Sequence, residues 1–209
     1  MHVSASSDAS ATPLRRVGVM GGTFDPIHTG HLVTAAAAQH AFSLDRVLFV
    51  PAGTPWQKSH REVAPAEDRY LMTVIATAAD ARFAVSRIEI DATGPTYTVE
   101  TLRALRDELP GSELFFITGA DAILQILTWK DARIALDLAT FVAATRPGYD
   151  LARLTDLPDG LGDRVQRFEI PALAISSTDV RERVRDGRPI RYLVPDGVAM
   201  HIERAGLYR

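Results

Sequence analysis

The chain contains no cysteine, and this absence excludes several kinds of chemistry. A protein without thiols has no disulfide bond, no thiolate nucleophile and no cysteine-ligated zinc or iron–sulfur site. A chain without cysteine also fits a reducing compartment, so we expect a cytoplasmic protein.

An excess of positive charge is also missing. The 23 lysines and arginines are outnumbered by 26 aspartates and glutamates, which gives a formal net charge of −3. A protein of this charge has no global positive field to attract nucleic acid or an anionic membrane, and we expect neither partner. No apolar run approaches the roughly 20 residues of a membrane-spanning helix. The first residues lack the basic start and the apolar stretch of a secretory signal.

What remains is the composition of one globular enzyme, with 46% hydrophobic and 23% charged residues in a chain of 209. Residues 1–14 are rich in serine and alanine without periodicity, which predicts a disordered tail. We expect residues 15–209 to form a single domain.

Short apolar runs alternate with helical patterns along this domain. The predicted strands are Arg16–Met20, Arg46–Val50, Phe83–Ile90, Leu114–Thr118, Ala139–Ala144 and Val165–Ile170. The predicted helices are Leu32–Phe42, Pro65–Asp80, Val99–Leu109, Asp121–Leu127, Thr178–Arg185 and Val198–Arg204. The alternation predicts an α/β fold with a doubly wound, mostly parallel sheet. Ligands bind such sheets at the carboxyl ends of the strands, near the point where the strand order reverses.

The loop after the first predicted strand reads Gly21-Gly22-Thr23-Phe24-Asp25-Pro26-Ile27-His28-Thr29-Gly30-His31. Its two leading glycines allow a tight turn and close approach to a ligand. The helix that follows offers free N–H groups and a positive dipole end to a phosphate. Because His28 and His31 are three residues apart at the helix start, their imidazoles can face the same way.

Other interpretations of this loop stay open. A Gly-Gly turn can be only a turn, and a histidine pair can bind zinc, although the chain offers no obvious third ligand. The fingerprint G-x-G-x-x-G is missing, which argues against a nicotinamide-dependent oxidoreductase.

A second cluster of polar residues lies at Ile175–Arg181, where a helix is predicted to begin. Ser176 and Asp179 have the spacing of a capping box. A cap needs one hydroxyl, whereas this helix start has three, followed by an arginine one turn later. Hydroxyls and an arginine at a helix N-terminus are typical of a polyphosphate site.

Together these segments resemble the H-x-G-H nucleotidyltransferases, and the first loop resembles the bacterial nicotinate-nucleotide adenylyltransferases in particular. The resemblance extends from Val17 to Tyr208. It implies a Rossmann-like sheet of the nucleotidyltransferase type, with the C-terminal helices completing the ATP site. It also implies transfer of AMP from ATP to nicotinate mononucleotide in NAD biosynthesis, giving nicotinate adenine dinucleotide and pyrophosphate, with Mg²⁺ bound along with the ATP.

The resemblance also assigns residues to roles. The implied catalytic residues are His28, His31 and Arg181. The implied ATP contacts are Gly21, Gly22, Thr23, Phe24, Gly119, Asp121, Ser176, Ser177 and Thr178. The implied substrate contacts are Lys58, Tyr97, Thr98, Trp129 and Arg146, the last of these near the adenine or the phosphates. We expect no metal site built from protein ligands, because no sharply spaced Asp/Glu pair marks one.

Simpler explanations exist for several of these residues. Thr96 and Thr98 could cap a helix, Asp121 could be a plain N-cap, and Trp129 could belong to the core. Lys130 follows the tryptophan where the family often has an aromatic residue, and its charge could favour a carboxylate over an amide. A phosphopantetheine adenylyltransferase or a non-catalytic nucleotide sensor remains an alternative, and a homo-oligomer is left open.

Overall fold

The structure is a computed structural model that describes residues 14–54, 63–148 and 164–209. Its strands are β1 Arg16–Gly22, β2 Arg46–Pro51, β3 Phe83–Val85, β4 Glu113–Gly119, β5 Thr140–Thr145 and β6 Val165–Glu169. Its helices are α1 Thr29–Ala41, α2 Ala66–Thr77, α3 Thr98–Glu108, α4 Ala120–Ile123, α5 Ala132–Leu138, α6 Ser177–Arg185 and α7 Asp196–Ala205, with a 3₁₀ turn at Ile126–Thr128.

The strands form one parallel sheet in the order β3-β2-β1-β4-β5-β6. This order is doubly wound, because the chain moves outward from β1 to β3 and then returns to the other side of β1 with β4. The predicted fold class is therefore confirmed. The order reverses between β1 and β4, so their carboxyl ends mark the expected ligand site.

Apolar residues cover both faces of the sheet, which explains why its strands read as nearly continuous hydrophobic runs. One layer contains Val19 and Phe141 and packs against α3. The other contains Phe49 and Val142 and packs against α1 and α7. Among the described residues, no helix combines the length and the apolar composition needed to cross a membrane.

Two predicted elements differ from the structure, and one observed helix was not predicted. β3 ends at Val85 instead of Ile90, because β2 ends at Pro51, which has no N–H to continue the ladder. The predicted helix Asp121–Leu127 is split into α4 and the 3₁₀ turn, so that Ile123 and Ile126 are both fully buried three residues apart. Helix α5 was missed, although its buried residues Ala132, Ala135 and Leu136 have helical spacing.

Candidate active site

Two cavities open at the carboxyl edge of the sheet. The larger, of about 570 Å³, is the histidine pocket, named for His28 and His31 in its wall. The smaller, of about 240 Å³, is the tryptophan pocket, named for Trp129. Gly21 at the end of β1 and Thr118 near the end of β4 line both cavities. The two pockets therefore meet at the predicted switch point.

The two histidines form one stacked unit at the start of α1. His28 is the N-cap residue in extended conformation, and His31 is the third residue of the helix. Their rings stack with centroids 3.7 Å apart. The backbone N–H of His28 donates to His31 Nδ1 at 3.1 Å, while the N–H of His31 donates to the His28 carbonyl at 2.9 Å. An imidazole that accepts at Nδ1 carries its proton on Nε2, so Nε2 of His31 is a hydrogen-bond donor.

The imidazole of His28 is uncharged at neutral pH. Only 7% of its surface is exposed, and burial lowers its pKa to about 4, against the weaker opposing effect of a backbone hydrogen bond. Its Nδ1 is buried and makes no hydrogen bond within the described part of the chain. His28 can therefore offer a ligand a neutral N–H or a lone pair, but no positive charge.

The spacing of this motif has a steric reason. A Cβ at Gly30 would lie 3.0 Å from His28 Nδ1, so a side chain there would push against the imidazole. A Cβ at Gly22 would come within 3.0 Å of the Phe24 ring. Phe24 has a left-handed backbone with φ 49° and packs its buried ring edge-on against His31, 5.1 Å between centroids. Its ring packs against the His31 ring, and the ATP contact of Phe24 stays a prediction.

The three hydroxyls at the start of α6 each have a protein partner. Ser176 Oγ accepts from the Asp179 N–H at 3.1 Å, as the capping interpretation predicts. Ser177 Oγ donates to the Pro26 carbonyl at 2.9 Å. Thr178 Oγ1 accepts from Arg181 Nη2 at 3.2 Å. Ser176 and Ser177 line the histidine pocket, whereas Thr178 does not.

Arg181 faces the histidine-bearing loop instead of lining the pocket. Its Nη1 donates to the Asp25 carbonyl at 2.7 Å and lies 3.7 Å from Asp25 Oδ2. Only 13% of its side chain is exposed. This geometry supports a role in holding the loop, and the catalytic contact of Arg181 stays a prediction.

Two further predicted ATP contacts, Gly119 and Asp121, line the histidine pocket. Gly119 ends β4 and is the N-cap of α4, and Asp121 is the second residue of that helix. Because Gly119 is the N-cap residue of α4, the N-cap alternative for Asp121 is not observed. Arg146 follows β5 and also lines this pocket, away from Tyr97 and Trp129. Its position favours the predicted nucleotide side over a contact with the ring of the substrate.

The other predicted substrate contacts, except Lys58, lie in the tryptophan pocket. Tyr97 is the N-cap of α3 without a side-chain capping bond, and Thr98 begins the helix. Trp129 packs edge-on against Phe116 at 5.9 Å and also lines the cavity, so it serves the core and the pocket together. Gly22 and Thr23 line this pocket as well. Lys58 lies outside the described residues.

Glu89 is a pocket residue that sequence reasoning missed. It lines the tryptophan pocket and accepts hydrogen bonds from the hydroxyls of Thr96 and Thr101, both at 2.6 Å. Burial raises the pKa of its carboxyl, and these two hydrogen bonds and the charge of Arg69 oppose the rise. The sequence signal that could have identified Glu89 is its position between two isoleucines inside a predicted strand, where a charged residue is unexpected.

Residues 19–183 match the cytidylyltransferase-like family, and the doubly wound parallel sheet is the Rossmann-like fold of a nucleotidyltransferase. A probable nicotinate-nucleotide adenylyltransferase from Corynebacterium kroppenstedtii is 60% identical over 199 residues, which span 95% of this chain and 93% of the relative. Another, from Nocardioides sp., is 61% identical over 191 residues, 90% of this chain and 92% of the relative. The chain belongs to the nicotinate-nucleotide adenylyltransferases.

Solved structures agree on the fold. The nicotinic acid mononucleotide adenylyltransferase of Plasmodium falciparum complexed with NaAD has a TM-score of 0.73 at 18% identity. The alignment covers 93% of this chain and 97% of that one. At this identity the likeness concerns the fold alone.

Proposed function

We propose that the protein transfers AMP from ATP to nicotinate mononucleotide. A phosphate oxygen of the mononucleotide attacks the α-phosphorus of ATP, the bond from that phosphorus to the bridging oxygen of pyrophosphate breaks, and nicotinate adenine dinucleotide forms. The observation that carries this proposal is the stacked pair His28–His31 in a pocket that shares Gly21 and Thr118 with the tryptophan pocket. Family membership at about 60% identity supports the same substrates.

The protein contributes position and electrostatics, because phosphoryl-type transfer needs no protein nucleophile. In this proposal ATP occupies the histidine pocket and the pyridine ring occupies the tryptophan pocket, so the two reacting phosphates meet beside Gly21. The N-terminus of α1 and the Nε2–H of His31 would then stabilise negative charge that develops on the α-phosphate. Because His28 is neutral, it would act as a hydrogen-bond donor and not as a cation.

The proposal includes Mg²⁺ bound with ATP, where the ion withdraws charge from the phosphate oxygens. Within residues 14–54, 63–148 and 164–209, no group of three or more His, Cys, Asp or Glu residues could hold a metal ion. Asp121 is the carboxylate that lines the histidine pocket, and carboxylate oxygen is a ligand that Mg²⁺ accepts. We therefore expect the ion to be held mainly by phosphates and water.

We further propose that residues 15–209 form one domain, in which α6 completes the ATP site. Ser176 and Ser177 support this assignment, since they line the same pocket as His28. A cytoplasmic location is part of the proposal and is supported by the lack of cysteine.

The decisive experiment measures pyrophosphate release with ATP and Mg²⁺ in the presence of nicotinate mononucleotide, nicotinamide mononucleotide or phosphopantetheine. We expect strong release with the nicotinate substrate, and a loss of about 10²- to 10³-fold in turnover for His31→Ala, checked for folding by circular dichroism. Release only with phosphopantetheine would reject the assignment of the tryptophan pocket. No release with any substrate would reject the enzymatic proposal in favour of a sensor.

A further inference from the structure

We propose that Tyr208, the penultimate residue, is a positioning residue that acts through Asp25 to hold the histidine loop, defined as residues 23–31. The inference rests on the proposed function for its effect on turnover. Its geometric part, the orientation of the His28 and His31 rings, can be tested without any substrate.

The C-terminal part of the chain contacts the histidine loop at Asp25, Pro26 and Thr29. Tyr208 and Arg181 bind Asp25, and Ser177 Oγ donates to the carbonyl of Pro26.

The backbone N–H of Thr29 donates to the Leu193 carbonyl at 2.8 Å, and its hydroxyl donates to the Tyr192 carbonyl at 3.2 Å. Residues Phe24 to His28 are all buried. The shape of this loop therefore depends on residues more than 140 positions away.

Asp25 is the centre of these contacts. Its side chain is 1% exposed, so its oxygens depend on protein donors. Oδ1 accepts from the Tyr208 hydroxyl at 2.8 Å and from the Ala64 N–H at 3.2 Å. Oδ2 lies 3.7 Å from the Arg181 guanidinium. The hydroxyl of Tyr208 thus donates at 2.8 Å to a buried carboxyl three residues before His28.

The end of the chain is shaped to deliver this hydroxyl. Helix α7 ends at Ala205, its C-cap Gly206 has a φ of 65° that lets the chain reverse, and the Leu207 N–H donates to the Ile202 carbonyl at 3.1 Å. Tyr208 itself is left-handed with φ 66°. Burial and the neighbouring Asp25 carboxylate raise the pKa of Tyr208 far above its ordinary value, so its hydroxyl remains a donor throughout the usual assay range.

Loss of this one hydrogen bond should displace the loop more than it weakens ligand binding. The ring of Phe fills the same space, but Asp25 Oδ1 would lose its 2.8 Å bond to the hydroxyl of residue 208. A small shift of Asp25 would also move the imidazoles of His28 and His31, because only a short buried segment separates them from Asp25. A misplacement of even about 1 Å can lower turnover up to 10²-fold while substrate binding persists.

The test compares Tyr208→Phe with Tyr192→Phe. Tyr192 is the matched control because it lies in the same C-terminal region, the residue is 78% exposed, and its contact with Thr29 is made by its backbone carbonyl, which the substitution keeps. Turnover and KM for both substrates are measured well below the unfolding temperature. The imidazole resonances of His28 and His31 are followed by NMR during a pH titration, with no ligand present.

We expect Tyr208→Phe to lower kcat by about 10-fold with both KM values within about twofold. We also expect its histidine resonances to shift, while Tyr192→Phe remains like the wild type. Unchanged kcat and unmoved histidine resonances in a folded Tyr208→Phe protein would overturn the inference, even if the unfolding temperature fell. If the wild-type protein releases no pyrophosphate, the proposed function fails, and the NMR comparison alone still decides whether Tyr208 positions the loop.

Discussion

The side chain of His28 joins two properties that a soluble protein rarely combines, an ionisable ring and almost complete burial. Its position is fixed by the extended N-cap conformation and by the space that Gly30 leaves beside the ring. Burial of the ring should lower the free energy of unfolding in acid, because the unfolded chain can protonate the ring and the folded chain resists protonation.

We predict that the free energy of unfolding falls between pH 6.5 and pH 4 because of His28. Its pKa is about 4 in the folded protein and about 6.5 in the unfolded chain, so the unfolded state binds more protons across this window. The contribution present at neutral pH should reach about 3 kcal/mol and be lost as the pH falls to about 4. Urea unfolding of wild type and His28→Asn at pH 7 and pH 4.5 measures it.

The variant should lose most of this pH dependence, whereas His40→Asn, at an exposed position in the last turn of α1, should keep it. Equal pH dependence in wild type and His28→Asn would show that the ring is not desolvated as the structure indicates.

Lys130 offers a second prediction at the scale of one residue, on the choice between the acid and the amide substrate. Its Nζ lies 4.3 Å from the centroid of the Tyr97 ring and 2.7 Å from Glu100 Oε1, at the edge of the tryptophan pocket. Its side chain is 45% exposed, so the effect of its charge should be modest. We predict that Lys130→Met lowers the ratio of kcat/KM for nicotinate over nicotinamide mononucleotide by about 2- to 10-fold.

Glu100→Gln is the matched variant of opposite sign. It removes the negative charge that partly neutralises Lys130, so it should raise the same ratio. If neither variant changes the ratio, the acid is recognised elsewhere in the pocket.

At the scale of elements, what the sequence could predict depended on how local the signal was. The positions of most strands were predictable, because apolar runs act over a few residues, but Gly21 and Gly22, which the sequence predicts as a turn, are the last two residues of β1. The hydrogen-bond partners of the three hydroxyls at the start of α6 could not be predicted. Ser177, for example, donates to the carbonyl of Pro26, which is 151 positions away in the chain. The same limit explains Arg181, whose type and spacing fit a phosphate contact although its guanidinium binds the Asp25 carbonyl.

Glu89 shows the same limit at β3. Periodicity continued the strand to Ile90, but the neighbouring strand β2 ends in a proline and the segment leaves the sheet. A Cβ at Gly53 would overlap the Glu89 carbonyl oxygen. This glycine therefore allows the departing segment to pass close to the loop after β2. The carboxyl reaches the tryptophan pocket only because of that departure, and no local pattern reports it.

At the scale of the whole molecule, Arg69 connects the loops that form the site. It is 1% exposed and donates to the carbonyls of Thr23, Ala52, Gly53 and Ala64 at 2.6 to 2.9 Å. These carbonyls follow β1, follow β2 and precede α2. One guanidinium on α2 thus fixes the histidine loop relative to the loop after β2, and its fork of donors suits several carbonyls at once.

We predict that Arg69→Met lowers the free energy of unfolding at pH 7 by about 3 to 5 kcal/mol, because buried carbonyls lose charged donors and Glu89 loses a nearby cation. The matched control is Arg82→Met, which removes a guanidinium that is 53% exposed and paired with Asp80, and its effect on the free energy of unfolding should be much smaller. Urea unfolding measures both. If Arg69→Met does not accumulate in folded form, Arg69→Lys keeps the charge without the planar fork and should fall between the two. A loss below about 1 kcal/mol for either Arg69 variant would mean that the site loops hold their positions without it, and that the sheet ends alone determine where the two pockets meet.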